Sequence, residues 1–141
     1  MRNRVLYILF TVACICILIQ ACQSEEEIVY ARYYVNGKGL YEKYCQNCHA
    51  PDGSGLKNLY PPLTDTVYMK DNLGKLACIV KYGINDTITV NGRIYDSKMP
   101  ATTELTDIDV TQILVYIGNS FGNNLGTFDM KEVNSRLKEC R

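Results

Sequence analysis

The chain is 141 residues long, with 15 basic and 15 acidic side chains, one histidine, seven cysteines, eleven tyrosines and no tryptophan. It has no internal repeat and no low-complexity tract, so the length supports a single domain. Formal charge is zero and falls to −2 when Arg2 and Arg4 leave with an N-terminal leader, a balance that argues against nucleic acid as a partner.

Residues 1–21 read as an export signal. Arg2 and Arg4 form its charged start, and residues 5–19 are an uncharged apolar run. That run is short of the roughly 20 residues a membrane span needs. It ends in Ile19-Gln20-Ala21-Cys22, which resembles the lipobox of bacterial lipoproteins. The resemblance implies a diacylated Cys22 as the new N-terminus; the alternative is an uncleaved anchor helix. Either places the remainder outside the cytoplasm, held at a bacterial membrane and facing the periplasm or the cell surface. Residues 22–35 form a polar tether. Ser24 followed by Glu25, Glu26 and Glu27 resembles surface-export signals of some Gram-negative lipoproteins, and is otherwise a solvated linker.

The folded domain is expected over residues 36–141. Asn36 is positioned to cap a first helix, with Val35 and Leu40 as its hydrophobic staple. Leu40, Tyr41, Tyr44 and Cys48 share one helical face. The helix runs into Cys45-Gln46-Asn47-Cys48-His49, the C-x-x-C-H pattern that attaches a c-type haem. The spacing lets two thiols reach the two vinyl groups on one porphyrin edge while the adjacent imidazole turns under the ring. Competing readings are a thioredoxin-like dithiol, a zinc site and inert core cysteines. A dithiol should follow a strand and open a helix, whereas here the helix precedes the motif. No second C-x-x-C or C-x-x-H completes a zinc set. His49 is the chain's only histidine, which allows one haem and rules out two imidazoles on its iron.

A loop rich in Pro and Gly follows, ending in Tyr60-Pro61-Pro62-Leu63. A ligating histidine usually donates its other ring N–H to a carbonyl. Pro61 is the candidate acceptor and Leu63 a candidate for packing on the ring; otherwise Pro61 is an ordinary loop proline. Asp71 or Asn72 should cap a second helix over residues 73–82, with Leu73, Leu76, Ile79 and Val80 inward and Gly83 as its stop. Residues 87–95 alternate β-branched side chains around Asn91-Gly92, which predicts a short hairpin with a type I′ turn. The hairpin would aim Asp96-Ser97-Lys98-Met99-Pro100. The Met99 thioether suits haem iron, although a lone methionine is more often core filler. Met1 leaves with the leader, and Met69 and Met130 are expected at the surface. Thr106 should cap a third helix, with Asp107 and Asp109 in its first turn, Leu105 and Val110 as staple, and Val110, Ile113, Leu114, Ile117 and Phe121 as its buried stripe. Gly122-Asn123-Asn124 break it. Residues 128–140 read as a last short helix with Met130, Val133 and Leu137 on one side.

Taken together, Cys45-Gln46-Asn47-Cys48-His49, Tyr60-Pro61-Pro62-Leu63 and Lys98-Met99-Pro100 make residues 36–139 resemble the class I cytochromes c. Within that class the domain is similar to the single-haem bacterial domains that accompany quinoprotein dehydrogenases and terminal oxidases. The resemblance implies an all-α fold of three to five helices around one covalent haem c, terminal helices crossing, and a β-hairpin before the methionine ligand. It carries over Cys45 and Cys48 as thioether links, His49 and Met99 as axial ligands, and Pro61 as the hydrogen-bond acceptor of the histidine.

Of the seven cysteines, Cys14 and Cys16 leave with the leader, Cys22 takes lipid, and Cys45 and Cys48 take haem. The even remainder, Cys78 and Cys140, suggests a disulfide in an oxidising compartment, or else two free thiols. The expected function is that of a one-electron carrier, not an enzyme. It would shuttle electrons between redox protein partners, a dehydrogenase or a terminal oxidase, with no small-molecule substrate. The alternative is a haem enzyme or gas sensor in which Met99 leaves the distal iron site open. Lys38, Lys43, Lys57 and Lys98 either guide docking or form a solvated surface. Lys98 also stands where it would replace Met99 at high pH.

Overall fold

A computed structural model describes residues 2–20 and 24–140. It is mostly helical with one two-stranded hairpin. The elements are α1 (Arg2–Gln20), α2 (Glu25–Tyr44), α3 (Gln46–His49), α4 (Thr66–Asp71), a 3-10 turn (Leu73–Lys75), α5 (Leu76–Tyr82), β1 (Ile88–Val90), β2 (Arg93–Tyr95), α6 (Asp107–Gly118) and α7 (Met130–Glu139). Ala21 and the expected lipid site Cys22 lie outside the described residues. Among the described residues no helix is long and apolar enough to cross a membrane.

The first helix of the domain starts well before Asn36, which lies inside it. Ser24 caps α2 by accepting the Glu27 N–H at 3.2 Å, and Glu25, Glu26 and Glu27 sit in its first turn, where acidic groups complement the helix dipole. The residues read as a polar tether are therefore helical from Glu25 onward. Their end is docked: the Tyr34 ring meets the Tyr116 ring edge-on at 5.2 Å, and its hydroxyl shares a 2.9 Å hydrogen bond with Ser120 Oγ.

Helices α2 and α6 cross at Gly37. A Cβ there would fall 1.9 Å from the Gln112 carbonyl oxygen and 2.9 Å from the Tyr116 Cβ, so only glycine permits this approach. Helix α6 packs on α2, α5 and α7. Residues 110–118 are consequently buried on all sides, not along one stripe. Thr106 caps α6 through a capping box with Asp109, and the staple residues Leu105 and Val110 are both buried. Phe121 falls outside the helix, at φ 59°, yet still packs on Tyr41 and Tyr116 at 5.3 and 5.6 Å. Full burial of side chains such as Ile113 and Leu114 stabilises by roughly 1.5–3 kcal/mol each.

The second expected helix is divided. Asp65 caps α4 by accepting the N–H groups of Val67 and Tyr68, a helix the apolar pattern did not reveal. Leu73, expected inward, is exposed in the 3-10 turn, while Leu76 and Val80 are buried. Met69, expected at the surface, is 3% exposed. The hairpin pairs Ile88 with Tyr95, Thr89 with Ile94 and Val90 with Arg93, turning through Asn91 and Gly92 at φ 50° and 69°. In α7, Val133 and Leu137 face the core while Met130 is exposed. The tail is tied to α5 by a disulfide between Cys78 and Cys140, Cα atoms 5.8 Å apart.

Candidate functional site

Helix α2 ends at Tyr44, and the single turn of α3 follows at once. The Cys48 and His49 N–H groups both return to the Cys45 carbonyl, at 3.1 and 3.0 Å. The turn brings Cys45, Cys48 and His49 to one wall of an apolar cavity. The cavity holds about 990 Å³ of space unfilled by protein atoms, its solvent mouth included. Pro61 and Leu63 line it from the loop, Met69 from α4, Ile79 and Val80 from α5, Met99 from the segment after the hairpin, and Ile113 and Ile117 from α6. Every residue proposed from sequence for this site thus faces one space.

His49 is buried, and its Nδ1 lies 3.0 Å from the Pro61 carbonyl oxygen. Burial pulls the imidazole below its ordinary pKa, against the smaller opposite effect of the Pro61 bond, so the ring is neutral near pH 7. With Nδ1–H donating to Pro61, the lone pair resides on Nε2. That is the tautomer a metal ligand needs. Leu63 is held from both sides: its N–H donates to the Gly53 carbonyl at 2.8 Å, and its carbonyl accepts from Asn123 Nδ2 at 2.8 Å. Asn123, read from sequence only as a helix breaker, is buried and also donates to the Ile117 carbonyl at 2.9 Å.

Burial, and secondarily the neighbouring Cys48, pushes the Cys45 thiol up to about 11. A redox dithiol requires a thiol displaced the other way, toward thiolate. Among the described residues no three His, Cys, Asp or Glu side chains converge as they would around zinc. The raised thiol weighs against the dithiol reading of the C-x-x-C pair.

Two methionines, not one, line the cavity. Met69 is the more deeply buried; Met99 is half-buried. Met99 is held by a partner the sequence did not disclose. It exchanges backbone hydrogen bonds with Ile84, and Gly83, at φ 76°, lies so close that a Cβ would sit 2.1 Å from the Met99 carbonyl oxygen. Lys81 closes the far side of this loop: its carbonyl accepts the Thr102 N–H at 3.0 Å, and its ammonium donates to the Leu105 carbonyl. Tyr41 also lines the cavity, 1% exposed, with its hydroxyl donating to the Ala50 carbonyl at 2.5 Å.

Residues 34–117 match the protein family described as cytochrome c oxidase, cbb3-type, subunit III. Two forms of cytochrome c-552 from Thermus thermophilus are 27% identical over 94 residues, covering 62% of this chain and 70% and 62% of their own lengths. The fructose dehydrogenase cytochrome subunit of Gluconobacter japonicus is 34% identical over 100 residues, covering 65% of this chain and 20% of the relative.

Proposed function

Since this chain belongs to the cytochrome c family described as cbb3-type oxidase subunit III, we propose that it is a one-electron carrier with a single covalent haem c held by His49 and Met99. The observation that carries this reading is the 3.0 Å bond from His49 to the Pro61 carbonyl, in the same apolar cavity that Cys45, Cys48 and Met99 line. The residues fit the group. Two free thiols stand beside a neutral, oriented imidazole, and the walls that would meet a porphyrin are mostly apolar, aliphatic side chains with Tyr41, Tyr60, Tyr68 and Tyr95 among them. Haem, when bound, supplies the one-electron iron couple.

The chain does the rest. Cys45 and Cys48 would hold the haem covalently, through their sulfurs. His49 and Met99 would hold its iron, which would leave no open site for a substrate. Pro61 fixes the imidazole tautomer, and Leu63, Ile79 and Val80 exclude water.

Partners are redox proteins of the dehydrogenase or terminal-oxidase class. On α2, Lys38 is paired with Glu42 at 2.5 Å and Lys43 lies over the Tyr44 ring at 4.6 Å, so both are engaged locally. Lys98 lines the cavity, and the Lys57 carbonyl receives the hydroxyl of cavity-lining Tyr95 at 3.5 Å. Of the four, Lys98 is the better placed to guide a partner to the mouth. Export and lipidation at Cys22 are part of the same proposal, supported by the sequence of residues 1–22; Cys22→Ser should abolish acyl labelling.

The deciding experiment is absorption spectroscopy of the purified, exported protein. The denatured chain should stay red, and the oxidised protein should show a methionine–iron charge-transfer band. Met99→Ala should lose that band and Met69→Ala should keep it. A band that follows Met69 would reassign the sulfur. No band in the parent protein would favour an open-site haem enzyme or sensor.

A further inference from the structure

Ala50, directly after His49, has φ 64° and ψ 160°. This region is essentially reserved for glycine, and a side chain held there persists only when its surroundings over-determine it. One escape is shut by the sequence. Residue 51 is proline, which disfavours helical ψ in the preceding residue and holds it extended. The ordinary left-handed cap, with ψ near about +47°, is therefore closed to Ala50. The remaining escape is rotation of φ to negative values. That rotation would swing residues 51–61 relative to His49, and with them the Pro61 carbonyl.

Hydrogen bonds oppose the rotation. The Ala50 carbonyl accepts from the Tyr41 hydroxyl at 2.5 Å and from the Gly53 N–H at 3.2 Å, while the His49 carbonyl accepts from the Gly55 N–H at 2.9 Å. Tyr41 is the one contributor from outside the loop. It is anchored in the core of α2 with its ring 5.4 Å from Tyr116 and 5.3 Å from Phe121. We propose that Tyr41 is a positioning residue for His49: its hydroxyl latches the strained Ala50 turn, and the turn keeps the Pro61 carbonyl in register with the imidazole. The effect on the metal rests on His49 being the ligand; the effect on the loop does not.

The experiment uses the full-length protein as purified, with Tyr41→Phe, Ala50→Gly and the double variant. Tyr41→Phe keeps the ring packing and removes only the hydroxyl. Amide hydrogen exchange at Gly53 and Gly55 should quicken about tenfold in Tyr41→Phe, the worth of one hydrogen bond. The same substitution in the Ala50→Gly background should quicken it less than about threefold, because glycine holds the turn unaided. The midpoint potential should rise in Tyr41→Phe, since a less firmly bonded imidazole is the weaker donor, and return in the double variant. Equal quickening in both backgrounds would reduce Tyr41 to core packing, and faster exchange in Ala50→Gly alone would show that Ala50 carries no strain; either overturns the proposal. A coupled exchange response without any potential shift would confine the latch to the loop and overturn its role in positioning His49, whereas a parent protein without a haem spectrum would instead fail the haem reading on which the potential rests.

Discussion

Met99 and Ile84 face each other as an isolated antiparallel pair: the Met99 N–H donates to the Ile84 carbonyl at 2.9 Å and the Ile84 N–H to the Met99 carbonyl at 3.0 Å. The pair joins the segment just past the end of α5 to the one after the hairpin, so Met99, the proposed sulfur ligand, is positioned from Ile84, fifteen residues upstream, as well as by β1 and β2. Gly83 permits the contact. Its φ of 76° costs an alanine roughly 1 kcal/mol or more, and the Met99 carbonyl occupies the place of the missing Cβ. Gly83→Ala should keep the covalent haem and weaken or abolish the methionine band of the oxidised protein, read by absorption against denatured controls.

The crossing of α2 and α6 gives a paired test. Alanine is intrinsically better than glycine inside a helix by about 1 kcal/mol. At Gly39, where nothing lies within 4 Å of the Cβ position, Gly39→Ala should stabilise by up to that amount. At Gly37, where the Gln112 carbonyl stands 1.9 Å away, Gly37→Ala should instead destabilise by about 2–3 kcal/mol as the helices are forced apart. Urea denaturation of both variants decides the matter by the opposite signs of their midpoint shifts.

Burial pushes the Tyr41 phenol well above the ordinary tyrosine range. Its folded value is thus higher than the unfolded value of about 10, so its contribution to stability is complete below about pH 10 and declines as pH rises beyond that. Unfolding free energies measured at about pH 9 and about pH 11 should fall further apart in the parent protein than in Tyr41→Phe. An identical decline in the two proteins would place the alkaline sensitivity elsewhere.

The Cys78–Cys140 bridge closes a loop of 62 residues and fastens α7 to α5. In the chain-entropy picture a loop of that length is worth about 4 kcal/mol. The Cys78→Ser, Cys140→Ser double variant should lose stability of that order while retaining haem. In the parent protein, alkylation mass spectrometry after denaturation should find both cysteines blocked until reductant is added.

Residue chemistry and short-range spacing are written in the chain itself. C-x-x-C-H, the capping box at Thr106 and the Asn91-Gly92 turn each concern groups close in sequence, whose geometry local covalent structure settles. The likeness to the class I cytochromes c rested on such motifs, and the mostly helical fold and family match agree with it. Some long-range pairs were legible as well: Pro61 was named for His49 because a ligating imidazole needs an acceptor and proline carbonyls are uncommitted.

Packing decided the rest. Residues 25–35 read as a polar tether from their acidic start, yet Ile28, Val29, Tyr30, Tyr33, Tyr34 and Val35 follow it, and a cap at Ser24 and the docking of Tyr34 on Tyr116 make the stretch helix. Met69 reads as surface because Lys70 and Asp71 follow it directly; the helix capped by Asp65 turns it, with Tyr68, into the cavity. Ile84 finds Met99, Asn123 finds Leu63 and Tyr41 finds Ala50 only once α2, α5 and α6 have closed around a common space. A hydrogen bond between residues far apart in the chain has no local signature, because its geometry is set by how the helices cross and not by either residue's neighbours.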